Sequence, residues 1–317
     1  MGKLCYNPPE GCDNMIDFQR LDLSQKAAYE QYLMNATERG CEYSFSNLYL
    51  WGKQHAAFIH GCVALFSHFN GRSVYPFPIG DGDKRQVIAE ILEDAKERGI
   101  PCRIIGITNE EQAFLESEFP GVFHLRIDRN SFDYVYDIND LADLRGRKYQ
   151  KKRNHFNRFQ AMHPDYQVLP LNEETRPAAM ELVKSWYAKR AETDPEGDYL
   201  LEQLALKRVF KHFDELGMEG CVLMEGGQAL ALAMGSRMSP TTFDIQFEKG
   251  REDVDGAYAA INCEFARYLR LKYPEAQFLN REEDMGLEGL RKAKLSYLPH
   301  HMVEKYWAYL VEDLNEN

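Results

Sequence analysis

The alternation of apolar and polar residues predicts two halves with the same order of elements. Helices are expected where apolar residues recur every three or four positions, and strands where they alternate or form short runs between turn residues. In the first half the pattern predicts helices over residues 23–33, 84–98 and 110–119, strands over residues 55–60, 63–68, 73–79, 103–107 and 122–136, and a turn at Asn70-Gly71. In the second half it predicts helices over residues 173–190, 257–273 and 287–295 and strands over residues 220–224, 228–238, 241–248, 276–281 and 301–310.

Each half therefore contains a hairpin, a strand, a loop flanked by glycines, a helix, a strand, a helix and a strand. This order is similar to that of the acetyltransferase (GNAT) fold, in which a mixed sheet splays between its fourth and fifth strands and binds the acyl donor there. We therefore expect an α/β protein with mixed (α+β) sheets. The expected fold is a tandem GNAT-like acyl-CoA N-acyltransferase fold. The chain has 317 residues, which is enough for about two domains. The predicted division is an N-terminal GNAT-like domain over residues 1–137, a basic linking helix over residues 138–164, and a C-terminal GNAT-like domain over residues 165–317 that carries the candidate active site.

The linking segment stands out because its charge opposes that of the whole chain. It begins at Asp140, a possible N-cap, ends at Pro164, and contains no acid between Asp143 and Asp165. Its basic residues are Arg145, Arg147, Lys148, Lys151, Lys152, Arg153 and Arg158, in a chain of net charge −12. A solvated helix that covers the seam between the domains would explain it. So would a helix that binds the phosphates of a partner such as tRNA, and in that case the donor-binding candidates are Arg145, Lys148, Lys152, Arg153, Asn154 and Asn157.

The strand over residues 241–248 alternates strictly between apolar and polar residues. Because successive side chains of a strand point to opposite faces, Thr242, Asp244, Gln246 and Glu248 are expected to share one face. A solvated sheet face would account for this row. In a GNAT-like fold the same strand borders the acceptor cleft, and the polar row would line the site.

The loop that follows this strand has features of an anion site. Arg251, Gly256 and a helix start at residue 257 could hold an anion through free backbone amides. The match to the CoA-binding loop pattern is poor, however, and the acids Glu252, Asp253 and Asp255 would repel a pyrophosphate. An ordinary capped helix is equally compatible with these residues.

Cysteines and the N-terminus set the expected compartment. The seven cysteines are odd in number and include no Cys-x-x-Cys pair; Cys5 and Cys12 are close but lack a second pair. This usage predicts reduced thiols and no metal site. The first residues lack the apolar region of a signal peptide, and the most apolar stretch, residues 55–69, is too short for a span of about 20 residues. We therefore expect a soluble cytoplasmic protein without a transmembrane segment, which could still contact a membrane peripherally.

The C-terminal run LNREEDMGLEGLRKAKLSYLPHHMVEKYWAYL carries a more specific signal. It resembles the C-terminal catalytic domain of phosphatidylglycerol lysyltransferases, which are tandem GNAT-fold, aminoacyl-tRNA-dependent enzymes. The matching positions are Leu290, Arg291, Lys294, Tyr297, Pro299, Lys305 and Tyr306, together with Phe243-Asp244-Ile245 and the basic Lys151-Lys152-Arg153-Asn154. The likeness extends from about residue 43 to residue 310 and is typical of an uncharacterised, soluble branch of that family. We expect no counterpart of the integral membrane domain of the lysyltransferases. The arginine that the resemblance leads us to expect shortly after Asp244 has no clear counterpart, and Lys249 or Arg251 would substitute for it.

The resemblance implies transfer of an aminoacyl group from aminoacyl-tRNA to a hydroxyl or amine acceptor, such as a lipid head group, a peptide or a small amine. In this hypothesis Lys294 stabilises the oxyanion, Asp244 holds the α-ammonium of the donor and Glu282 is a candidate general base. Further donor-binding candidates are Arg251, Gly256, Asn280, Arg281 and Arg291. No cofactor is required, because the donor is already activated. Two alternatives stay open: an acyl-CoA-dependent N-acetyltransferase that uses acetyl-CoA, and a non-catalytic module that binds a phosphorylated partner.

Overall fold

The computed structural model describes residues 15–34, 38–51, 54–69, 71–194 and 199–314. Asn70 of the predicted turn, Cys5 and Cys12 lie outside these residues. The helices are α1 Lys26–Met34, α2 Phe45–Trp51, α3 Lys84–Glu97, α4 Asn109–Glu118, α5 Ile138–Asp143, α6 Gln150–Met162, α7 Arg176–Thr193, α8 Leu200–Lys211, α9 Ala257–Lys272, α10 Glu288–Leu295 and α11 Val311–Leu314. The strands are β1 Gln19–Arg20, β2 Gln54–Ile59, β3 Cys62–Phe69, β4 Arg72–Pro76, β5 Ile79–Gly80, β6 Arg103–Ile107, β7 Phe123–Ile127, β8 Asp133–Asp137, β9 Gln167–Pro170, β10 Met218–Glu225, β11 Gln228–Arg237, β12 Thr242–Gly250, β13 Phe278–Asn280, β14 His301–Val303 and β15 Tyr306–Leu310.

The chain forms two compact units, each made of segments that are distant in sequence. Unit 1 comprises Met1–Thr37, Lys53–Asp128 and Glu304–Asn317, and unit 2 comprises Glu38–Gly52 and Arg129–Val303. This division differs from the predicted one, which assigned residues 1–137 to one domain and residues 165–317 to another. The basic segment and residues 38–52 belong to unit 2, and the last strand of the chain returns to unit 1.

Unit 1 is built on a mixed sheet with the strand order β1-β2-β3-β4-β6-β15-β7. Helix α3 begins after Asp83, whose side chain accepts a hydrogen bond from the amide of Gln86 at 2.9 Å, and this cap satisfies an amide at the helix start. The apolar face of α3, with Val87, Ile88 and Ile91, packs in one core with Ile104 of β6. Helix and sheet thereby bury each other's apolar surface.

Unit 2 has a second mixed sheet, of order β14-β8-β13-β12-β11-β10-β9. Its core joins Phe243 and Ile245 of β12 to Ile261 and Phe265 of α9, and it includes residues of α5 and α6. Strands β12 and β13 are parallel, whereas the other paired strands of this sheet are antiparallel. Two mixed sheets with covering helices confirm the predicted α/β fold class.

Two predicted strands prove to be pairs of strands in different sheets. The run 122–136 divides into β7 and β8 at Arg129–Ser131, which form a 3-10 turn, and the run 301–310 divides into β14 and β15. Strand β15 lies between β6 and β7, and β8 lies between β13 and β14. Each of these two strands is therefore central, with backbone partners on both sides. Alternation alone could not reveal the switch, because the pattern of apolar residues continues across it.

The basic linking segment is not one helix, which corrects the prediction. Asp137, and not Asp140, caps α5 through a 2.8 Å bond from the amide of Asn139. The helix ends at Leu144, which has a left-handed backbone, and Gly146 precedes a 3-10 turn that leads into α6. Among the described residues, no helix combines the length and the apolar character that crossing a bilayer requires.

Candidate active site

Strands β12 and β13 pair over only a short length before they part. The parallel register joins Thr242 to Phe278 and ends at Asp244 and Asn280, although β12 continues to Gly250. This is the splay that the GNAT-like order predicts in unit 2. Asp244 is thus the last residue of β12 that pairs with β13, at the point where these two strands separate.

A register shift in β12 changes which side chains share a face. Ser236 of β11 opposes Asp244, whereas Met234 opposes Phe247, so two residues of β12 face the single intervening Gly235. A side chain at Gly235 would collide with the carbonyl oxygen of Asp244. Because such a bulge reverses the alternation, the prediction of one continuous polar row is wrong. Asp244 and Gln246 share partners, as described next, while Glu248 accepts a 3.1 Å bond from Asn262 of α9.

Asp244 is fully buried and forms hydrogen bonds with polar side chains. Its Oδ2 accepts hydrogen bonds from Asn47 Nδ2 at 3.0 Å and from Gln246 Nε2 at 3.1 Å. Gln246 Nε2 also lies 2.8 Å from Ser236 Oγ and 3.3 Å from Ser44 Oγ. Among the described residues, no group donates a hydrogen bond to the buried oxygens Asn47 Oδ1 and Gln246 Oε1. These two acceptors leave the network with unused hydrogen-bonding capacity.

Glu282 brings a second carboxylate to the same amide group. Its Oε1 accepts a hydrogen bond from Asn47 Nδ2 at 2.9 Å. The backbone of Glu282 is left-handed, with φ 59°, and its amide donates to Asn280 Oδ1 at 2.8 Å. A left-handed backbone is unfavourable for a residue with a Cβ and tends to occur where neighbouring contacts enforce it. Two carboxylates thus converge on one carboxamide at the splay.

Lys294 binds the backbone of the loop that carries Glu282. Its ammonium group donates to the backbone carbonyls of Arg281, of Glu282 at 3.0 Å and of Glu283 at 2.7 Å. The residue is only 9% exposed, and burial lowers the pKa of Lys294. All three N–H donors of this ammonium group therefore already have acceptors. Lys294 and Asp244 are linked through Glu282 and Asn47.

Asn280 connects this loop to β8, which is the first strand of unit 2 along the chain. Its Nδ2 donates to Asp133 Oδ2 at 2.8 Å, and the same oxygen accepts from the amide of Cys41 at 2.6 Å. Cys41, Glu42 and Asp133 offer ligand atoms within 4.8 Å of one another, the one group of metal-ligand type in the described part of the chain. Asp133 already orients Asn280 and Cys41, so its carboxylate serves the hydrogen-bond network.

Arg291 holds the far end of the same loop. It forms a two-pronged ion pair with the buried Asp284, at 2.8 Å from Nε and 2.9 Å from Nη2. Asp284 also accepts bonds from the amide of Gly286 at 2.8 Å and from the hydroxyl of Tyr134. The bond from Arg291 is the main cause that holds the pKa of Asp284 well below its usual range. Arg291 is thus committed to an internal contact.

Arg281 and Lys152 lie in a cluster of cations and aromatic rings near the splay. Arg281 pairs with Glu248, and its guanidinium carbon lies 5.0 Å from the centre of the Tyr297 ring. Lys152 Nζ lies 3.7 Å from the same ring centre. Burial, and then the charge of Arg281, lower the pKa of Lys152 to about 8. Arg281 Nη1 is buried and donates to no described acceptor, so this cluster has a hydrogen-bond donor to offer to a ligand.

Several cations of the basic segment pair with carboxylates. Some of these carboxylates lie near the start of the segment, and one lies elsewhere in the sequence. Arg145 pairs with Asp143 at 3.1 Å, Lys148 with Asp140 at 3.0 Å and Arg158 with Asp255 at 2.6 Å, and Arg153 donates to the carbonyls of Leu144 and Gly146. Three of the seven cations therefore have carboxylate partners, although the segment itself contains no acid between Asp143 and Asp165. Among the described residues, Arg147 and Lys151 have no such partner, and both are exposed, as are Asn154 and Asn157.

The predicted anion loop lies at the other end of β12 and is already occupied by protein groups. Arg251 pairs with Asp253 at 2.7 Å and donates to Gln228 at 2.9 Å. Gly256 has a left-handed backbone, and a Cβ there would lie 2.6 Å from the carbonyl oxygen of His155 in α6. Helix α6 therefore closely approaches the N-terminus of α9. A cavity of about 550 Å³ beside Arg251 is also lined by Trp186 and Lys189 of α7.

Sequence reasoning identified Asp244, Asn280, Arg281, Glu282 and Lys294, which the fold gathers around the splay. It missed the groups that connect them, Ser44, Asn47, Asp133 and Ser236. Residues 38–52 come from the first half of the chain but belong to unit 2. The one available signal was the run Ser44-Phe45-Ser46-Asn47, in which small polar residues stand among apolar ones and prove to be buried.

Comparison with known proteins identifies the family. The family profile described as phosphatidylglycerol lysyltransferase, C-terminal, matches residues 34–309. The fold is that of a mixed α/β, transferase-like module, and the chain belongs to this family. The resemblance inferred from the C-terminal motif is thereby confirmed.

The chain is similar to several proteins of known structure. A conserved protein of unknown function from Bacteroides thetaiotaomicron is 35% identical, with a TM-score of 0.88 over 93% of this chain and 100% of that one. The L-PGS of Bacillus licheniformis is similar at 16% identity, with a TM-score of 0.64 over 92% of each chain. The C-terminal domain of a putative lysylphosphatidylglycerol synthetase from Agrobacterium fabrum is similar at 14% identity, with a TM-score of 0.63 over 91% of this chain and 92% of that one. At 16% and 14% sequence identity, the similarity to these last two proteins shows a common fold alone.

A curated relative is an uncharacterized protein of Mycoplasmoides gallisepticum. It is 24% identical over 181 residues, which make up 57% of this chain. The chain spans about half of that relative's length, since the match covers 56% of it.

Proposed function

We propose that unit 2 transfers an aminoacyl group from aminoacyl-tRNA to a hydroxyl or amine acceptor. The observation that carries the proposal is the convergence of Asp244 and Glu282 on Asn47 at the splay, in a member of a lysyltransferase family. A donor whose α-ammonium group carries a positive charge is electrostatically compatible with a site that holds two carboxylates. The α-ammonium group of an aminoacyl ester provides that charge, whereas a simple acyl group does not.

In the proposed reaction the acceptor oxygen or nitrogen attacks the ester carbonyl of the donor. A bond forms from the acceptor to the carbonyl carbon, the bond to the ribose oxygen breaks, and the proton of the acceptor passes to the leaving ribose oxygen. Glu282 is the proposed carrier of this proton, because it is half-buried and can meet a ligand. Asp244 is fully buried, so we assign it the positioning of Asn47 and Gln246 and not direct contact with the donor.

Lys294 receives a different role from the one that the resemblance suggested. Its ammonium group is held by three carbonyls of residues 281–283, and an oxyanion would have to displace one of them. We therefore propose that Lys294 fixes the left-handed backbone of Glu282. Its positive charge still acts on the site through space, at a distance that this loop sets.

Binding of the RNA is proposed at the exposed part of the basic segment. Arg147 and Lys151 have no carboxylate partner among the described residues, and Asn154 and Asn157 are exposed beside them. Lys152 and Arg153 hold internal contacts, so their loss would disturb folding as well as binding. The phosphate contacts should therefore be tested with Arg147 and Lys151.

The acyl-CoA alternative is disfavoured by the start of α9. A pyrophosphate at that helix N-terminus would need open backbone amides, but α6 approaches Gly256 closely and Asp255 pairs with Arg158. Glu252 and Asp253 lie in the same loop and pair with Arg190 and Arg251, so these two cations are already engaged. The proposed enzyme needs no further cofactor, because the donor ester is already activated.

The proposal is tested by incubating the protein with a pool of labelled aminoacyl-tRNAs and candidate acceptors of three kinds: anionic lipids, peptides and small amines. Label should move from RNA to one acceptor class. Glu282→Gln should reduce this transfer at least about a hundredfold, a usual contribution of a general base, without loss of RNA binding. Glu288→Gln is the matched control, because Glu288 is exposed in the same segment and, within the described part of the chain, its ion-pair partner is the exposed Lys292. RNA binding without transfer would favour the non-catalytic module, and transfer from acetyl-CoA alone would favour the N-acetyltransferase.

A further inference from the structure

A second basic surface lies in unit 1, on the face of the sheet that points away from its core. A groove of about 330 Å³ is lined by Arg72, Arg103, His124, Arg126 and Tyr309. These residues come from four strands that are neighbours in the order β4-β6-β15-β7. The opposite face of the same strands contributes Ile104, Leu125 and Ala308 to the core of unit 1.

The register of the strands shows that the basic and aromatic side chains share this face. Tyr309 lies directly opposite Arg103 on one neighbouring strand and opposite His124 on the other, and Trp307 lies opposite Arg126. Directly opposed residues of neighbouring strands project to the same face. Trp307 and Tyr309 are two positions apart, with ring centres 6.0 Å apart and planes inclined by 19°.

The charge of the groove is uncompensated among the described residues. Arg72, Arg103, His124 and Arg126 form no ion pair with any of them, although acids outnumber basic residues in the chain as a whole, by 50 to 38. Three arginines held together without countercharges repel one another, and an anion that binds between them removes this cost. Arg72, His124 and Arg126 are exposed and the two aromatic rings are half-buried, so a ligand can reach them.

The two rings determine which anion fits. Trp307 is fixed by a 3.1 Å hydrogen bond from its Nε1 to Asp128 Oδ2, and neither ring has a cation over its face among the described residues. Half-buried aromatic rings flanked by arginines on an open sheet are suited to stack unpaired bases while the arginines hold phosphates. Double-stranded RNA would present phosphates but no free base faces. An anionic membrane would require apolar side chains that project beyond the charges on this face. The exposed Ile127 does not provide one, because it lies opposite Tyr306, which packs on the core side of the sheet.

We propose that this face of unit 1, formed by Arg72, Arg103, His124, Arg126, Trp307 and Tyr309, binds a single-stranded RNA segment through its phosphates and its unpaired bases. The inference goes beyond the proposed function, since it concerns an RNA segment that carries no aminoacyl group and a surface of the other unit. Failure of aminoacyl transfer would leave it intact, and its own failure would leave the proposed transfer intact.

The test is fluorescence anisotropy with a labelled single-stranded RNA of about ten nucleotides. It uses the full chain carrying Arg147→Gln and Lys151→Gln, so that the basic segment of unit 2 contributes little. Adding Arg103→Gln and Arg126→Gln should reduce the log–log salt slope by about 1.4, which is roughly 0.7 per lost phosphate contact. Tyr309→Leu should weaken binding at least about fivefold, whereas Tyr309→Phe, which keeps the ring, should bind normally.

Arg85→Gln is the matched control, because Arg85 is an exposed arginine of unit 1 on α3, with a side chain 66% accessible and outside the groove. Thermal unfolding of each variant establishes that it folds. Equal RNA binding by the double arginine variant would overturn the proposal. So would an inorganic polyphosphate that competes as well as RNA while Tyr309→Leu has no effect, which would indicate a simple anion site. Binding of anionic lipid vesicles in place of RNA would overturn it as well.

Discussion

Replacing Lys294 by alanine should destabilise the loop that carries Glu282. The substitution removes an ammonium group from three carbonyls in a site where the lysine is only 9% exposed. Hydrogen bonds to charged groups contribute about 1.5–3 kcal/mol each, and the cost of burying the charge offsets part of their sum. Removing one partner of a buried charged contact typically costs about 3–5 kcal/mol. We expect a loss of about 3 kcal/mol for Lys294→Ala.

Urea unfolding and hydrogen exchange measure this loss. With a slope of about 2–3 kcal/mol per molar urea, the unfolding midpoint of unit 2 should fall by about 1–1.5 M. Amides of residues 281–286 should exchange faster, because the left-handed backbones of Glu282 and Met285 lose the contacts that enforce them. Peptides from unit 1 provide an internal reference within the same sample.

Lys292→Ala is the control for this prediction. Lys292 lies on the same helix α10, but its side chain is 74% accessible and pairs with Glu288 across one helical turn. Such a surface pair contributes about 0.5 kcal/mol or less. If Lys294→Ala and Lys292→Ala unfold at the same urea concentration, the carbonyl contacts do not stabilise the loop, and the role assigned to Lys294 is refuted.

Three further predictions concern other parts of unit 2. Asn47→Asp adds a third carboxylate to the two that already converge there, so its melting temperature should fall below that of the wild type at pH 7 and approach it below about pH 5, as carboxylates protonate. The pKa of Lys152 is about 8 in the folded protein, against an ordinary value of 10.5. Between these pH values unfolding takes up a proton, so the contribution of Lys152 to stability rises with pH. If the urea midpoints of the wild type and of Lys152→Met change with pH in the same way across that interval, this prediction is contradicted. Gly256→Ala should cost about 2 kcal/mol or more, because a left-handed alanine costs about 1–2 kcal/mol and its Cβ would meet α6. Gly289→Ala, which meets open space in a helix, should instead stabilise by up to about 1 kcal/mol in thermal or urea unfolding.

The periodicity of the sequence predicted the regular elements well where one face of an element is buried. Helices α3 and α9 were expected over residues 84–98 and 257–273 and were found at Lys84–Glu97 and Ala257–Lys272. A splay between two neighbouring strands was expected from the order of elements, and β12 and β13 part after Asp244 and Asn280. These features are encoded locally, because each helix needs only a continuous apolar stripe and each strand a run of alternating residues.

Contacts between distant parts of the chain were not predictable in this way. Asn47 lies 197 residues from Asp244, and no local pattern relates the two. The register shift opposite Gly235 turned Glu248 away from Asp244, although alternation predicted a shared face. A glycine in a strand can mark such a bulge, but a single glycine among alternating residues did not identify the position at which the alternation reverses.

The C-terminal motif has a meaning in the structure that its residue types alone did not reveal. Arg291 and Lys294 were expected to meet the donor, but Arg291 binds Asp284 and Lys294 binds three carbonyls of the same loop. Residues with a left-handed backbone cost about 1–3 kcal/mol each, and this loop has two of them, Glu282 and Met285. A short loop can hold such a conformation only if strong contacts at both ends offset that cost. Arg291 and Lys294 provide those contacts, and the basic residues of the motif therefore fix the position of one carboxylate, that of Glu282, beside Asn47.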